Sequence, residues 1–438
     1  MQSFFHRGAG LALQLNRWLE ARITPTGRGL GALAVIAAAV GVDTTLTLAY
    51  QIFCFAFALL ALAFLTSLRA PRHLALKLSA PRQASVGLPF DCRLELANAA
   101  GRVLRGVDLR VEFADSRPSF EEFRRGASTE RRNRYDRWLG YYRYMEFAAR
   151  KRNARAAEIS LPEVAPGATV SARIAITPLG RGVIRLAGAT AMRREALGLM
   201  RSLWRTDSAA RVVVLPKRYR VPRLAFPGAR RYQQGGVALA GRVGESEEFV
   251  SLREYRPGDP LHRVHWKTSA RLGKPVMKEY QDEFFERHAL VLDTFVPGGA
   301  EQSFEEAVSV AASFACTLDT QESLLDLVFV ESRAHRYTAG RGLLGAGQLL
   351  ELLAAVRPAS AADFRVLAGS VLERRAALSS CLLLLLAWDE PRRRLAEQLA
   401  ASGLPTLVLL ISDTTPHDAP SWLRRIDPGR VDESLARL

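Results

Sequence analysis

Forty residues near the start of the chain, 29–68, carry a single charge, Asp43. Residues 29–42 are 14 uncharged positions, and residues 44–68 are 25 more. A helix that crosses a bilayer needs about 20 apolar residues. The second run meets that length, with Phe53, Phe55, Phe57, Leu59, Leu60, Leu62, Phe64 and Leu65. The first meets it only if residues 23–28 enter the headgroup zone with Arg28 snorkelling outward. The expectation is a transmembrane helical hairpin over 23–70, with helices at about 25–43 and 46–68 and a turn at Asp43-Thr44-Thr45. The run is too long, and starts too late, for a secretion signal. Arg7, Arg17, Arg22 and Arg28 precede it, Arg69, Arg72 and Lys77 follow it, and the turn has no Lys or Arg. The excess of positive charge on the cytoplasmic side of membrane proteins then puts both termini in the cytoplasm, with the chain held at the cell inner (cytoplasmic) membrane by two spans. Residues 1–22 become a cytoplasmic tail.

The rest has the composition of a folded protein. Hydrophobic residues are 48% and charged residues 24%, which excludes a wholly disordered or fibrous chain. The net charge is +17, and all but six of the 61 basic residues are Arg. The four cysteines (54, 92, 316, 381) are far apart, with no CxxC pair. They read as reduced thiols, which agrees with a cytoplasmic body.

Residues 71–215 read as a β-rich, sandwich-like domain. Alternating apolar positions separated by turn residues recur at 73–78, 90–96, 107–113, 170–177, 182–186 and 211–216. An insert at 116–158 differs: it holds twelve Arg or Lys and a row of aromatics. Tyr135, Trp138, Leu139, Tyr142 and Met145 fall at helical spacing, so an amphipathic helix should pack this stripe on the sandwich and leave its arginines in water. The alternative is a basic-aromatic surface for anionic lipid or nucleic acid. Residues 216–248 read as a Pro/Gly-rich linker. From 286 to 438, near-continuous apolar strands (289–293, 324–330, 381–387, 406–411) alternate with helices (304–320, 343–356, 392–401). That pattern predicts a doubly wound α/β domain with a parallel sheet covered on both faces. Asp293, Asp389 and Asp413 fall at carboxyl ends of strands, where open α/β sheets place their sites.

Recognisable catalysis is missing. There is no phosphate-binding glycine loop and no nucleophile elbow. His262 and His265 lack the acidic or thiol neighbours of a metal site. No cofactor is expected. The densest polar constellation lies at 249–285, where Arg253, Glu254, Asp259, Arg263, Lys267 and Arg271 mix signs around a turn at Pro257-Gly258-Asp259. Trp266 gives this stretch an apolar anchor. Arginine forks and carboxylates at this density build bidentate networks. Such a network either clasps one part of the chain to another or presents a patch to a partner, and a clasp is the first expectation.

The same residues resemble the signature of the DUF58 family. Arg253, Tyr255, Pro257, Gly258, Asp259, Arg263, Trp266, Ser269, Ala270 and Arg271 match, with Val264 where Ile is usual. Thr24-Pro-Thr-Gly-Arg28, Arg181-Gly182, Leu197-Gly198-Leu199 and Val213-Val-Leu-Pro216 resemble parts of the family's long form. The resemblance implies that 286–438 is similar to a von Willebrand factor A domain. It also implies a functional link with MoxR-type AAA+ ATPases. A metal-binding A domain has hydroxyl residues at the third and fifth positions after its first strand. Here Phe295 and Pro297 stand there, so Asp293 and Asp389 are left as a degenerate site and no bound metal is expected. The function implied is a non-enzymatic, membrane-tethered cytoplasmic adaptor. It would work with such an ATPase in assembly or maturation of other proteins or complexes. The alternative is a membrane-proximal binder of anionic lipid or nucleic acid, with the lipid bilayer rather than nucleic acid as the expected partner.

Overall fold

The computed structural model describes residues 2–40, 47–68, 74–114, 117–125, 141–222, 233–234, 248–257, 259, 261, 264–281, 284–317, 323–340, 343–359 and 363–438. The turn expected at Asp43-Thr44-Thr45, the aromatic positions Tyr135, Trp138 and Leu139, and the signature residues Gly258, His262 and Arg263 lie outside these. The chain divides into two compact units, Met1–Leu215 and Pro216–Leu438.

The first unit opens with three helices: α1 (Gln2–Arg22), α2 (Pro25–Val40) and α3 (Thr47–Ser67). Among the described residues, only α3 is long and apolar enough to cross a membrane. Its 21 residues reach about 31 Å, against about 30 Å of hydrocarbon. Helix α2, with 16 residues, reaches about 24 Å, so the helix itself is shorter than the span expected for it. It packs along α3. Both helices turn large apolar side chains outward, Val35, Ile36, Phe55, Phe57 and Leu65 among them. A water-soluble domain would bury such residues.

The β-rich part is two sheets face to face. One runs β1 (Leu74–Ser79), β3 (Phe90–Asn98), β7 (Thr169–Pro178), β5 (Ala154–Ala156). The other runs β2 (Gln83–Ser85), β9 (Arg201–Leu215), β8 (Gly182–Arg194), β4 (Val107–Phe113), β6 (Ile159–Ser160). Alternation decides which side chains enter the core. Leu74, Leu76 and Leu78 of β1 are buried and the residues between them are not. They meet Leu94 and Leu96 of β3, Ile174 and Ile176 of β7, Leu109 of β4 and Ile184 of β8 in one cluster. Each such side chain contributes roughly 1.5–3 kcal/mol by leaving water. Strands β8 and β9 extend well beyond the expected 182–186 and 211–216. A bulge between Leu186 and Gly188 interrupts the alternation there. A Cβ at Gly188 would lie 1.9 Å from the Thr206 carbonyl oxygen, so only glycine fits.

The insert behaves differently from its expected stripe. Two of its helices are described, α4 (Phe120–Arg125) and α5 (Tyr141–Arg152). Tyr142 and Met145 are exposed, while Tyr144 and Ala148 are buried. Tyr144, Phe147 and Ala148 pack with Phe123 and with Leu13 of α1 rather than with the sandwich core. Period alone could not tell which side of a short aromatic-rich helix would find a partner.

In the second unit, the sheet order is β15 (Ala334–Ala339), β14 (Ser323–Val330), β13 (Phe284–Leu292), β16 (Ser380–Leu385), β17 (Thr406–Ile411), β18 (Leu423–Ile426). All neighbours are parallel except β15, which runs antiparallel to β14 at the edge. Helix α7 (Glu301–Thr317) packs on β13, β16 and β17. Helix α8 (Ala346–Ala355) packs on α7 and β15, and helices α9 (Phe364–Leu372) and α10 (Glu390–Ala401) close a core with Val291, Leu383 and Leu410. Covering of both faces explains why every residue of β16 is buried. The segment read as a linker is tied down in two places. Tyr219 donates its hydroxyl to Glu306 Oε2 at 2.5 Å, and its amide to Ser313 Oγ at 2.8 Å, both on α7. Further on, β10 (Gln233–Gln234) pairs with Phe284 and Phe285 of β13.

Candidate functional site

The signature segment folds as a unit. Strands β11 (Glu248–Glu254) and β12 (Val276–Gln281) pair antiparallel, Arg253 opposite Met277 and Glu254 opposite Val276. Between them lie the Pro257 turn and a two-turn helix, α6 (Trp266–Leu272).

Arg253 reaches across the turn to Asp259 as a two-pronged fork, Nη1 to Oδ2 at 2.7 Å and Nη2 to Oδ1 at 2.8 Å. The Arg256 amide donates to the same carboxylate at 2.8 Å, and the Asp259 amide returns a bond to the Arg256 carbonyl. The Arg253 hydrogen bonds, and then the Arg256 amide, hold the Asp259 carboxyl down at about 2. Fork and turn therefore form one charge-assisted closure. Among the described residues, Arg253 is the arginine side chain that pairs with Asp259.

The other signature residues divide into two groups. Ser269 is structural: its Oγ accepts the Val276 amide at 2.9 Å and donates to the His265 carbonyl, fastening α6 to β12. His265 caps α6, with Nδ1 2.7 Å from Thr268 Oγ1. The Tyr255 amide bonds the Pro275 carbonyl. Glu254 pairs with Lys274, and Pro257 sits exposed in the turn. Trp266 corrects the expectation of an anchor, because it is 67% exposed. Leu261 and Leu272 are exposed as well. Lys267 and Arg271 are exposed, and neither forms an ion pair among the described residues. The segment is a small scaffold closed by Arg253 and Asp259, and Trp266, Lys267, Arg271 and Leu272 of α6 are exposed.

A second constellation occupies the carboxyl end of the parallel sheet. From β13 the chain passes to β14 on one side, whereas β16 lies on the other. The order therefore reverses between β13 and β16, where open sheets of this kind leave a ligand crevice. Asp293 follows β13 at this place and is fully buried. Its Oδ2 accepts from the Leu386 amide at 3.0 Å and from Arg392 Nε at 2.7 Å. Its Oδ1 accepts from the Phe295 amide at 3.0 Å and from Arg392 Nη2 at 3.2 Å. Arg392 also bonds the Phe295 carbonyl and Asp389, and its guanidinium lies 4.8 Å over the Phe364 ring. Burial pushes the Asp293 carboxyl upward, against the opposing pull of Arg392 and the two amides. Asp389 caps α10 through the Arg392 amide.

A divalent ion does not fit here. Both oxygens of Asp293 are committed, an arginine cation already faces them, and Phe295 and Pro297 stand at the third and fifth positions counted from Asp293, where hydroxyl ligands would be needed. Among the described residues no three His, Cys, Asp or Glu gather as ligands. Asp413 ends up exposed beyond β17. Arg392 itself was not singled out from sequence. A signal existed: Arg392, Arg393 and Arg394 crowd the first turn of a helix, where the macrodipole disfavours cations. Such residues need local carboxylates, and Asp293, Asp389 and Glu390 supply them.

Residues 251–417 match the family model described as "Protein of unknown function DUF58". The match covers less than half of the chain. The match takes in most of the Arg253–Asp259 scaffold and all of the Asp293–Arg392 pair. The chain is similar to part of a curated Bacillus subtilis (strain 168) protein described as "Uncharacterized protein YeaD", at 33% identity over 93 residues. That alignment covers 21% of this chain and 22% of the relative, so the chain matches about a fifth of the relative's length.

Proposed function

We propose that the protein is a membrane-tethered adaptor without chemistry of its own, working with a MoxR-type AAA+ ATPase in the assembly or maturation of other proteins or complexes. The carrying observation is the face of α6. Trp266, Leu272, Lys267 and Arg271 stand exposed on a scaffold whose own charges are used internally. Exposed Trp and Arg are the residue types that anchor protein interfaces. The filled crevice at Asp293 supports the same reading, since Arg392 occupies the place where a small ligand would enter. In this reading 286–438 is an A-like domain that has exchanged its metal for an arginine.

The tether is α3. On this proposal α2 is the other pass of the hairpin. Both termini then face the cytoplasm of a cell whose inner membrane holds the hairpin.

The test is co-purification of the full chain from detergent-solubilised membranes. The ATPase accompanies the wild type and is lost with Trp266→Ala or Arg271→Glu, while both variants keep the wild-type melting temperature. A wild-type chain that brings down no ATPase overturns the adaptor reading.

A further inference from the structure

Three large apolar side chains of the helix that precedes the apolar pair face away from its domain. Toward the domain, α1 presents Leu13 and Ala21, which are buried, and Gly10, where a Cβ would come within 3.2 Å of the Tyr144 hydroxyl. Away from it stand Leu11 (67% exposed), Leu15 (59%) and Trp18 (44%). Positions 11, 15 and 18 are spaced i, i+4, i+7 and form one line along the helix. Arg22 continues that line, its guanidinium 5.5 Å above the Trp18 ring. An amphipathic helix normally buries its larger apolar side chains, and here the domain leaves them out.

The place of this line is fixed by the junction to α2. Ile23 pairs with Met200, and the Thr24 amide bonds the Leu199 carbonyl at 3.1 Å. The Thr24 hydroxyl bonds the Gly198 carbonyl at 2.7 Å. At Gly27 a Cβ would lie 2.1 Å from the Leu199 oxygen, so the backbones touch. The last turn of α1 is thus held where the apolar run begins. Helix α1 also packs on α4, α5 and β9. Arg22 and Arg28 flank the junction and bring positive charge to the end of the apolar line.

We propose that α1 is an interfacial helix, lying on the membrane with Leu11, Leu15 and Trp18 in the headgroup–acyl boundary of an anionic leaflet. The proposal rests on the reading that α3 crosses the bilayer. A helix with an apolar line, a Trp and flanking Arg is built for that boundary. Its consequence is that the sandwich is seated against the lipid surface rather than swinging on a tail.

The experiment uses the full chain with exposed Cys54 and Cys316 replaced by Ala, leaving the buried Cys92 and Cys381. Nitroxide labels are placed singly through Leu15→Cys, Glu20→Cys and Phe57→Cys, in vesicles of phosphatidylcholine with a minority of phosphatidylglycerol. Collision with oxygen and with a water-soluble nickel chelate reads depth. The label at 57 should sit deep, that at 15 at the boundary, and that at 20 in water. Removing phosphatidylglycerol should move 15 toward water and leave 57 unchanged. A label at 15 as open to nickel as that at 20, with 57 still deep, overturns the interfacial helix and leaves the tether standing. A label at 57 in water overturns both. Insensitivity of 15 to phosphatidylglycerol overturns the anionic preference.

Discussion

The Thr24 hydroxyl donates to the Gly198 carbonyl across 174 residues of sequence, and this bond joins the apolar helices to the β-rich domain. Two short motifs that look like loose punctuation in the sequence, Thr24–Gly27 and Leu197–Leu199, prove to be two halves of one joint. Glu195 organises the second half by accepting the Leu199 and Met200 amides. Gly27→Ala forces a methyl group against a backbone oxygen. It should lower stability by about 1–3 kcal/mol, the usual cost of overpacking. Melting of the full chain in detergent, beside Gly29→Ala as an unhindered control, checks this.

The Asp293–Arg392 pair should dominate the stability of the second unit. Arg392→Ala leaves a buried carboxylate without its cation, which costs about 3–5 kcal/mol. The double variant Asp293→Asn, Arg392→Gln removes both charges and should recover part of the loss. A thermal melt series decides. Magnesium or manganese should not raise the wild-type melting temperature. A saturating ion at a hundred times its dissociation constant would add about 2.7 kcal/mol, so a clear rise would contradict the geometry at Asp293.

Asp259 sets a pH dependence of definite sign. Its carboxyl is held at about 2 in the fold, against about 3.9 in an unfolded chain. The closure is therefore fully present above the unfolded value and is lost as pH falls toward 2. A carboxyl-carbon titration by NMR should find Asp259 among the last acids to protonate. In Arg253→Gln its midpoint should move up toward the ordinary value.

Thiol reactivity should follow burial. Burial pushes Cys381 up to about 12 and Cys92 up to about 11, whereas Cys316 is exposed. A water-soluble maleimide should modify Cys316 in the native protein and reach Cys92 and Cys381 only after denaturation. Mass spectrometry of the digested protein reads the outcome.

Much of this fold can be read from apolar pattern. The leucine run of β16 and the alternation of β1 announce their environments, because burial on two faces or on one leaves a different periodicity. The edge strand β15 and the short strand β18 escape such reading: half-exposed edges tolerate His335, Arg336, Arg424 and Arg425. The candidate site is legible in the same uneven way. The signature residues mark the right segment, yet sequence cannot say which arginine serves Asp259 or that Trp266 points outward. Arg392 was hidden because its partner Asp293 lies 99 residues away and only the parallel pairing of β13 with β16 brings them together.

The α6 face should meet an AAA+ ATPase while the chain is in its membrane. Photo-cross-linking in intact cells tests it directly, with a benzoylphenylalanine in place of Trp266 and, as a control, in place of Trp422, which is also exposed. An adduct at position 266 that contains the ATPase, and none at 422, is the predicted result. No ATPase adduct at 266, or the same adduct from both positions, would contradict the account.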